Sequence, residues 1–588
     1  MKLFPVFLSI AIGIWFCVAP AVRATVDTVT TTADSGPGSL RNTLAAAGPG
    51  DTVVFSSTLA GQTIQLASGE LFISQNLTID ASALAGGIII DGGGNGRILE
   101  VGSANVIINT LTVTNGYASD DTGGGLLLDE PAAAVTAMNC VFCGNSAEFG
   151  GGISAYGTLT LDNCMVSNNV ANVYGGGIFC YGGSVMFDNC AFSANSVTDG
   201  GGGAIESEFA GLALNNCTVS GNVASIFGGG IDSEDEGTLN LTNCMFLGNS
   251  SGTAGALSVQ TPAAVINCSF VDNTSANGAG GGIANYDSLA LNNCTLSGNS
   301  VTNNNGGALL NSGILTLNNC TLSGNSASNG SGGGVYNSDI LTAYNCTLSG
   351  NSSANGYGGG LAGFTATNVL VNCTICSNSA GDAGGLFDQG SSTFALTNTV
   401  VAGNAAAQNP DIAASYFGVA NFIGGNPQLA PLGGYGGSTE TLPTMLPLFV
   451  SPLINAGTDW VTNFLATDER GYPRRAGAHV DIGAVETQPA PANNRPVLKD
   501  VLWSGTGSSP VAFFRFSFTN VPNADFTVFT SANLELPLTQ WTMLGNAQQV
   551  FVPGNYEFLS SVSATVYLTR TNDITVFPPQ QYYRVVSP

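Results

Sequence analysis

The ten residues LNNCTLSGNS occupy positions 291–300 and recur unchanged at 317–326, and a near copy, YNCTLSGNSS, follows at 344–353. Extending the alignment places cysteines at 140, 164, 190, 217, 244, 268, 294, 320, 346 and 373, spaced 24–27 residues apart. Each follows an asparagine and precedes another by five residues, from Asn145 and Asn169 through to Asn351 and Asn378. Asn398, Thr399 and Asn404 continue the register without the thiol, and Leu111 holds the same place upstream. A second motif interleaves with the first: GGGI at 175–178, 228–231 and 280–283, GGAI at 202–205, GGAL at 306–309, GGGV at 332–335 and GGGL at 358–361.

A period of about 26 residues, built from strand-like triplets such as Leu-Thr-Leu and glycine-rich bends, fits one coil of a parallel β-solenoid. A helical solenoid needs long helix-periodic segments, which glycine at 80 of 588 positions would break. In a β-solenoid the same position of successive coils forms a column with a step of about 4.8 Å. Cysteine and the apolar residue two places on (Leu296, Leu322, Phe192, Phe246) alternate with Thr and Ser, so the thiols are expected to face the core. The asparagine at the following bend is expected to bond to its copies above and below, and the glycine run to supply positive φ.

Stacked side chains run parallel, leaving neighbouring Cβ atoms nearly as far apart as the Cα atoms and somewhat long for an unstrained disulfide. The expected state is a reduced core ladder, with some disulfides or a metal or redox role as the alternatives. Cys140/Cys143 and Cys373/Cys376 form C-x-x-C spacings, but no histidine lies nearby and the zinc signal is weak.

Charged residues are only 9% of the chain and hydrophobic residues 44%, the reverse of a disordered composition. The net charge is −26, and no Lys, Arg or His occurs between Arg97 and Arg470. Such a surface repels phosphate, which makes nucleic acid and anionic membrane poor partners and removes most general bases.

The pairs Phe-x-x-Asn (142–145, 192–195, 246–249, 270–273) and Gly-Gly-Ala-Ile/Leu (202–205, 306–309) resemble the repeats of polymorphic outer-membrane proteins. That resemblance implies a right-handed parallel β-helix and a surface role associated with adhesion. Such passengers usually end in a membrane barrel closing on an aromatic residue, whereas this sequence ends YYRVVSP.

The expected organisation is all-β: a right-handed parallel β-helix (solenoid) followed by a small carboxy-terminal β-sandwich. Residues 1–24, MKLFPVFLSIAIGIWFCVAPAVRA, read as a signal peptide cleaved after about Ala24, so the chain is expected to be secreted or displayed on a bacterial cell surface. No later stretch is long and apolar enough for a transmembrane helix. Residues 25–100 read as an amino-terminal cap and first coils, with Ser39 capping a short helix over 40–47. Coils follow over 101–424. Residues 425–486 resemble the choice-of-anchor Q segment that closes bacterial β-helices, matched at Asp468, Arg470, Gly471, Asp481, Gly483 and Glu486. Arg470 or Arg474 is expected to pair there with Asp481 or Glu486 as a structural clasp. Residues 487–497 read as a linker and 498–588 as the sandwich module, which resembles C-terminal modules of exported bacterial proteins. In it, Trp541, Tyr582 and Tyr583 are assigned to packing ahead of a sugar platform.

One acidic cluster stands out. GGAIESE (202–208) and GGGIDSEDE (228–236) align so that Glu206 stacks on Asp232 and Glu208 on Glu234, all projecting from one side of a sheet. Three readings stay open: a solvated acidic face, a calcium site helped by Asp235 or Glu236, and a retaining glycosidase pair. Calcium is the one cofactor considered, and no catalytic residue is assigned. Tyr156, Phe179, Tyr181, Tyr286, Tyr336 and Phe364 sit at outward positions after the glycine motif and form a candidate glycan face, against the alternative of ordinary scattered aromatics. The leading expectation is a non-catalytic β-helix for adhesion or glycan binding, its partner a polysaccharide or cell-surface glycan. A polysaccharide-degrading enzyme using coils 202–236 and a structural envelope or matrix protein are the alternatives.

Overall fold

The computed structural model describes residues 24–436, 442–448 and 450–488 in full, and the backbone of six strands between 498 and 586. Residues 1–23 of the stretch expected to be a signal peptide, and residues 489–497 of the expected linker, lie outside the described residues.

One coil shows how the repeat folds. Ser288–Asn292 forms a strand, Asn293 and Cys294 turn the corner, and Thr295–Ser297 forms a second strand. Gly298 and Asn299 turn again into the two-residue strand Ser300–Val301, a loop carries the glycine motif back, and Leu309–Asn311 completes the circuit. Every strand pairs in parallel with its copy one coil on. The result is a sixteen-stranded long face, a fifteen-stranded cysteine face and a fourteen-stranded face called here the ledge face. The strands equivalent to Ser300–Val301, two to six residues long in different coils, form a short face split into four- and seven-stranded parts, joined by the single bridges of Val223 to Ser196 and Ser250.

The interior is dry and apolar. Cys294, Leu296, Leu289, Leu291 and Ile283 are 0–1% exposed, and their copies line one continuous core from Val29 to Val401. Rings stack in register where the column carries them, as in Phe246–Phe270 at 4.7 Å. The thiols face inward as their spacing predicts, and every described cysteine is free.

Two asparagine columns close the corners. The buried one runs from Asn145 to Asn404. Asn299 Nδ2 donates to Phe270 O at 2.9 Å and to Asn325 Oδ1 at 3.0 Å, while its own Oδ1 accepts from the Asn273 amides at 2.9 and 3.1 Å. Asp411 ends the ladder by accepting from Asn404. The second column, the asparagine before each cysteine, adopts positive φ (Asn293 +54°), a role the sequence reading gave only to glycine. The glycine that opens each glycine motif also has positive φ, as expected (Gly280 +73°), and the next is needed for close approach: a Cβ on Gly281 would lie 2.2 Å from the Gly307 carbonyl oxygen.

Both ends differ from the coils. The helix Leu40–Ala46 is capped by Ser39 and buries Leu40 and Leu44 over the first coil, as expected. At the other end, residues 442–448 and 450–486 lie along the outside of the cysteine face. There the hydroxyls of Thr321 and Thr347 donate to buried Glu469 at 3.0 and 2.6 Å, and Thr374 accepts from Ala484 N at 3.0 Å. The expected clasp has different partners. Arg470 pairs with Asp468 at 2.8 Å, and buried Arg474 donates to the carbonyls of Asp481, Gly483 and Ala484. The carboxylates of Asp481 and Glu486 are taken by backbone amides, Asn455 and Thr487 on the first and Ala476 and Asp481 on the second. Three carbonyls thus hold the Arg474 guanidinium through Nη1 and Nη2, its buried Nε has no hydrogen-bond partner, and the charges of Glu486, Asp468 and Asp481 act on it from nearby.

The six carboxy-terminal strands pair antiparallel in the sheet order Leu498–Ser504, Ala512–Thr519, Asn555–Val562, Thr542–Gln549, Phe526–Ser531, Tyr582–Val586. Trp541 and the side chains of Tyr582 and Tyr583 lie outside the described residues, as does the two-layer packing of a sandwich. Among the described residues no helix is long and apolar enough to cross a membrane.

The buried ladder predicts a sharp contrast. Asn299→Ala orphans the Asn273 amides in a dry interior and should cost about 3 kcal/mol or more in urea unfolding. Asn293→Gly keeps the permitted φ and should cost less than about 1 kcal/mol in the same assay.

Candidate functional site

The ledge face presents two outward columns. In the strands Ile205–Glu208 and Ile231–Glu234, Ile205 and Ile231 point into the core, so the residues one and three places on point out. Register pairs Glu206 with Asp232 and Glu208 with Glu234, as the alignment of the glycine motifs predicts. The two columns have different surroundings.

The inner column is covered. After the short face the chain folds back over it; Phe179, Ala284, Leu310 and Ala362 fill covered positions of this column, and the buried hydroxyls of Ser154 and Ser258 stand in it as well. Ala254 and Ala279 from the covering loops close over Ala284 and Leu310. Glu206 and Asp232 occupy this strip and are 0% and 1% exposed. The solvated-face reading is therefore wrong for this pair, which lies under the loop carrying Gly200–Gly203. No hydrogen-bond partner reaches any of their four carboxylate oxygens. Asp232 is pushed up to about 8 by burial and by the charge of Glu234, offset in part by the Ser258 and Gln260 side chains, which lie nearby but outside hydrogen-bond geometry. Burial, followed by the charge of Asp232, pushes Glu206 well above the usual carboxylate range.

The outer column is open. Tyr156, Tyr181, Glu208, Glu234, Gln260 and Tyr286 follow one another, one per coil. Tyr181 and Tyr286 are 43% and 39% exposed, and the four others are half-buried. Gln260 Nε2 donates to Glu234 at 2.8 Å. Burial and the charges of Glu234 and Asp235 raise the Glu208 carboxyl.

The six aromatics named from the sequence do not form one face. Phe179 is buried in the inner column, packed by Phe149 at 5.5 Å, and Tyr336 is half-buried against Ala284 and Leu310. Tyr156 and Tyr181 stand 5.7 Å apart in the outer column, while Phe364 lies three coils beyond Tyr286, past Ser312 and Ser338. Three further rings join the cluster beside the acids: Phe149, Tyr174 at 5.9 Å from it, and Phe209 at 5.5 Å from Tyr181. Phe149 and Tyr174 end strands of the short face after a register shift, and Phe209 lies in the bend after a ledge strand, so alignment of the repeat motifs gives no position for them.

Glu206 and Asp232 hold their protons more tightly folded than unfolded. The folded chain therefore binds more protons, and stability falls, as pH rises between the unfolded and folded values. For Asp232 that window runs from 3.8 to about 8. In chelator-containing buffer the melting temperature should drop by several degrees from about pH 5 to about pH 8. The double change Glu206→Gln/Asp232→Asn should remove part of the slope, leaving the share of buried Glu469 and Glu486, raised to about 8 and about 7 by burial.

The family described as right handed beta helix region matches residues 158–322, so this part of the solenoid is a right-handed β-helix. No curated protein matches the chain. Among solved structures, tailspike protein 3 of bacteriophage CBA120 is similar at 11% identity and a TM-score of 0.28, over 65% of this chain and 51% of the tailspike. The chain thus spans about half the length of that relative. ORF18 of Geobacillus virus E2 is similar at 9% identity and a TM-score of 0.23, over 93% and 80% of the two chains. The A-module of a mannuronan C-5 epimerase from Azotobacter vinelandii is similar at 12% identity and a TM-score of 0.20, over 68% and 100%. Likenesses this remote carry nothing about activity.

Proposed function

We propose that this chain is an exported, non-catalytic β-helix that binds a neutral polysaccharide or cell-surface glycan along the outer column of its ledge face, and serves adhesion. The order Tyr156, Tyr181, Glu208, Glu234, Gln260, Tyr286 carries the reading. Each step is about 4.8 Å, close to the length of a pyranose unit, and the line spans about 24 Å. Exposed rings at its two ends offer apolar faces to sugars. The carboxylates and amide between them offer acceptors and donors to sugar hydroxyls. With no Lys, Arg or His between Arg97 and Arg470, the face repels an anionic polymer, which favours a neutral one. The leader-like first 24 residues and the resemblance to surface-protein repeats support export and display.

Polysaccharide cleavage is the second reading, favoured by the raised carboxyl of Glu208 one coil from Glu234. That spacing is near the ~5–5.5 Å of retaining glycosidases. Retention of residues 25–588 on a panel of neutral polysaccharides, with a reducing-end assay in parallel, separates the two. Binding predicts retention on one polymer without new chain ends, weakened at least about tenfold by Tyr181→Ala/Tyr286→Ala, as loss of anchoring rings does. New chain ends that vanish in Glu208→Gln would replace adhesion by hydrolysis, and retention on no polymer would overturn the glycan reading.

A further inference from the structure

We infer that Glu206, Asp232 and Glu234, converging beneath Gly201, form a binding site for a hard divalent cation, calcium. One carboxylate oxygen from each lies within 4.8 Å of the others. Oxygens on opposite sides of a calcium ion bound at about 2.4 Å are about 4.8 Å apart, so a single ion can bridge all three. The donor set is carboxylate only. Cys180, the nearest thiol in the register, faces the core one coil away with Ser207, which leaves no soft ligand for zinc or copper.

Three observations beyond the acidic cluster point to an ion. Both Glu206 and Asp232 are fully buried, and none of their oxygens has a hydrogen-bond partner, including one another. Second, Gly201 leaves space above them. A Cβ there would lie 2.4 Å from Asp232 Oδ2 and 2.9 Å from Glu206 Oε2, and the nearest atoms it would meet belong to these carboxylates. Gly201 has no positive φ, so conformational freedom does not require glycine at this position.

Third, the same inner column shows what the chain does when it neutralises an acid itself. Glu100 stands in that column four coils earlier, and Arg97 reaches it at 2.9 Å while also binding Glu70 and Asp121 at 2.8 and 2.6 Å. No basic residue follows until Arg470, so the pair at 206 and 232 has no protein cation within the coils. Half-buried Glu234, held by Gln260, opens the cluster toward solvent and gives an ion its entry. The site stands whether or not the outer column binds glycan, because calcium alone is the probe.

Chelator-treated mature chain is titrated with calcium chloride by calorimetry at about pH 7.5, and its melting temperature is followed in parallel. The expected result is uptake of one ion per chain and a higher melting temperature with calcium. Glu206→Gln/Asp232→Asn should weaken uptake at least tenfold yet fold well, since it removes buried charge. Gly201→Ala, which puts a methyl group in the ion's place without backbone strain, should weaken uptake while the calcium-free melting temperature stays within a few degrees of the parent. No uptake at millimolar calcium would overturn the inference. So would uptake unchanged in Glu206→Gln/Asp232→Asn.

Discussion

In-register stacking of parallel coils is the constraint from which the rest of this molecule follows. Each strand finds its hydrogen-bond partners one coil away, so residues at equivalent positions are held in columns about 4.8 Å apart. A slip by one residue would turn every cysteine and leucine of a strand from core to surface. The register is locked at the corners by polar groups with nowhere else to bond: each buried asparagine satisfies backbone and side chain of the coil before it and depends on the coil after it. Charge then has to be placed column by column, because whatever one coil carries, its neighbours face.

That geometry makes the acid pair costly and therefore informative. Two carboxylates in adjacent coils of a covered column repel each other and have lost their water. Elsewhere in the column Phe179, Ala284 and Leu310 pack without any such cost, and only a small hydroxyl, Ser258, follows Asp232 directly. A polar strip in an otherwise apolar seam, next to a ledge of rings and carboxylates, concentrates the unusual chemistry of the chain on coils 174–286. The cysteine column, chemically the more conspicuous feature, is inert by comparison: its thiols are buried and fill core volume.

Much of this was legible in the sequence because columns are legible. Aligning LNNCTLSGNS fixed which residues point inward, paired Glu206 with Asp232, and identified the asparagine ladder. What alignment could not provide was the path of the loop between the short face and the ledge face, which varies from coil to coil. That loop decides that Glu206 and Phe179 are covered while Glu208 and Tyr181 are open. A signal existed: the residue after each Gly-Gly-x-Ile/Leu/Val motif is Phe, Ala, Leu or Tyr in several coils, which marks a covered position. The partner of Arg470 was missed for a different reason. It lies two residues away at Asp468, in an irregular turn where no periodicity applies. Positive φ at the asparagine before each cysteine was also missed, although asparagine tolerates that region better than any other residue with a side chain except aspartate.

The most direct measurement is a crystal structure of residues 25–588 grown with calcium, with anomalous data collected at long wavelength. The account predicts a calcium peak beneath Gly201, with oxygens of Glu206, Asp232 and Glu234 about 2.3–2.6 Å from it. Glu206 and Asp232 turned outward into solvent, with no peak between them, would contradict both the covered column and the site built on it.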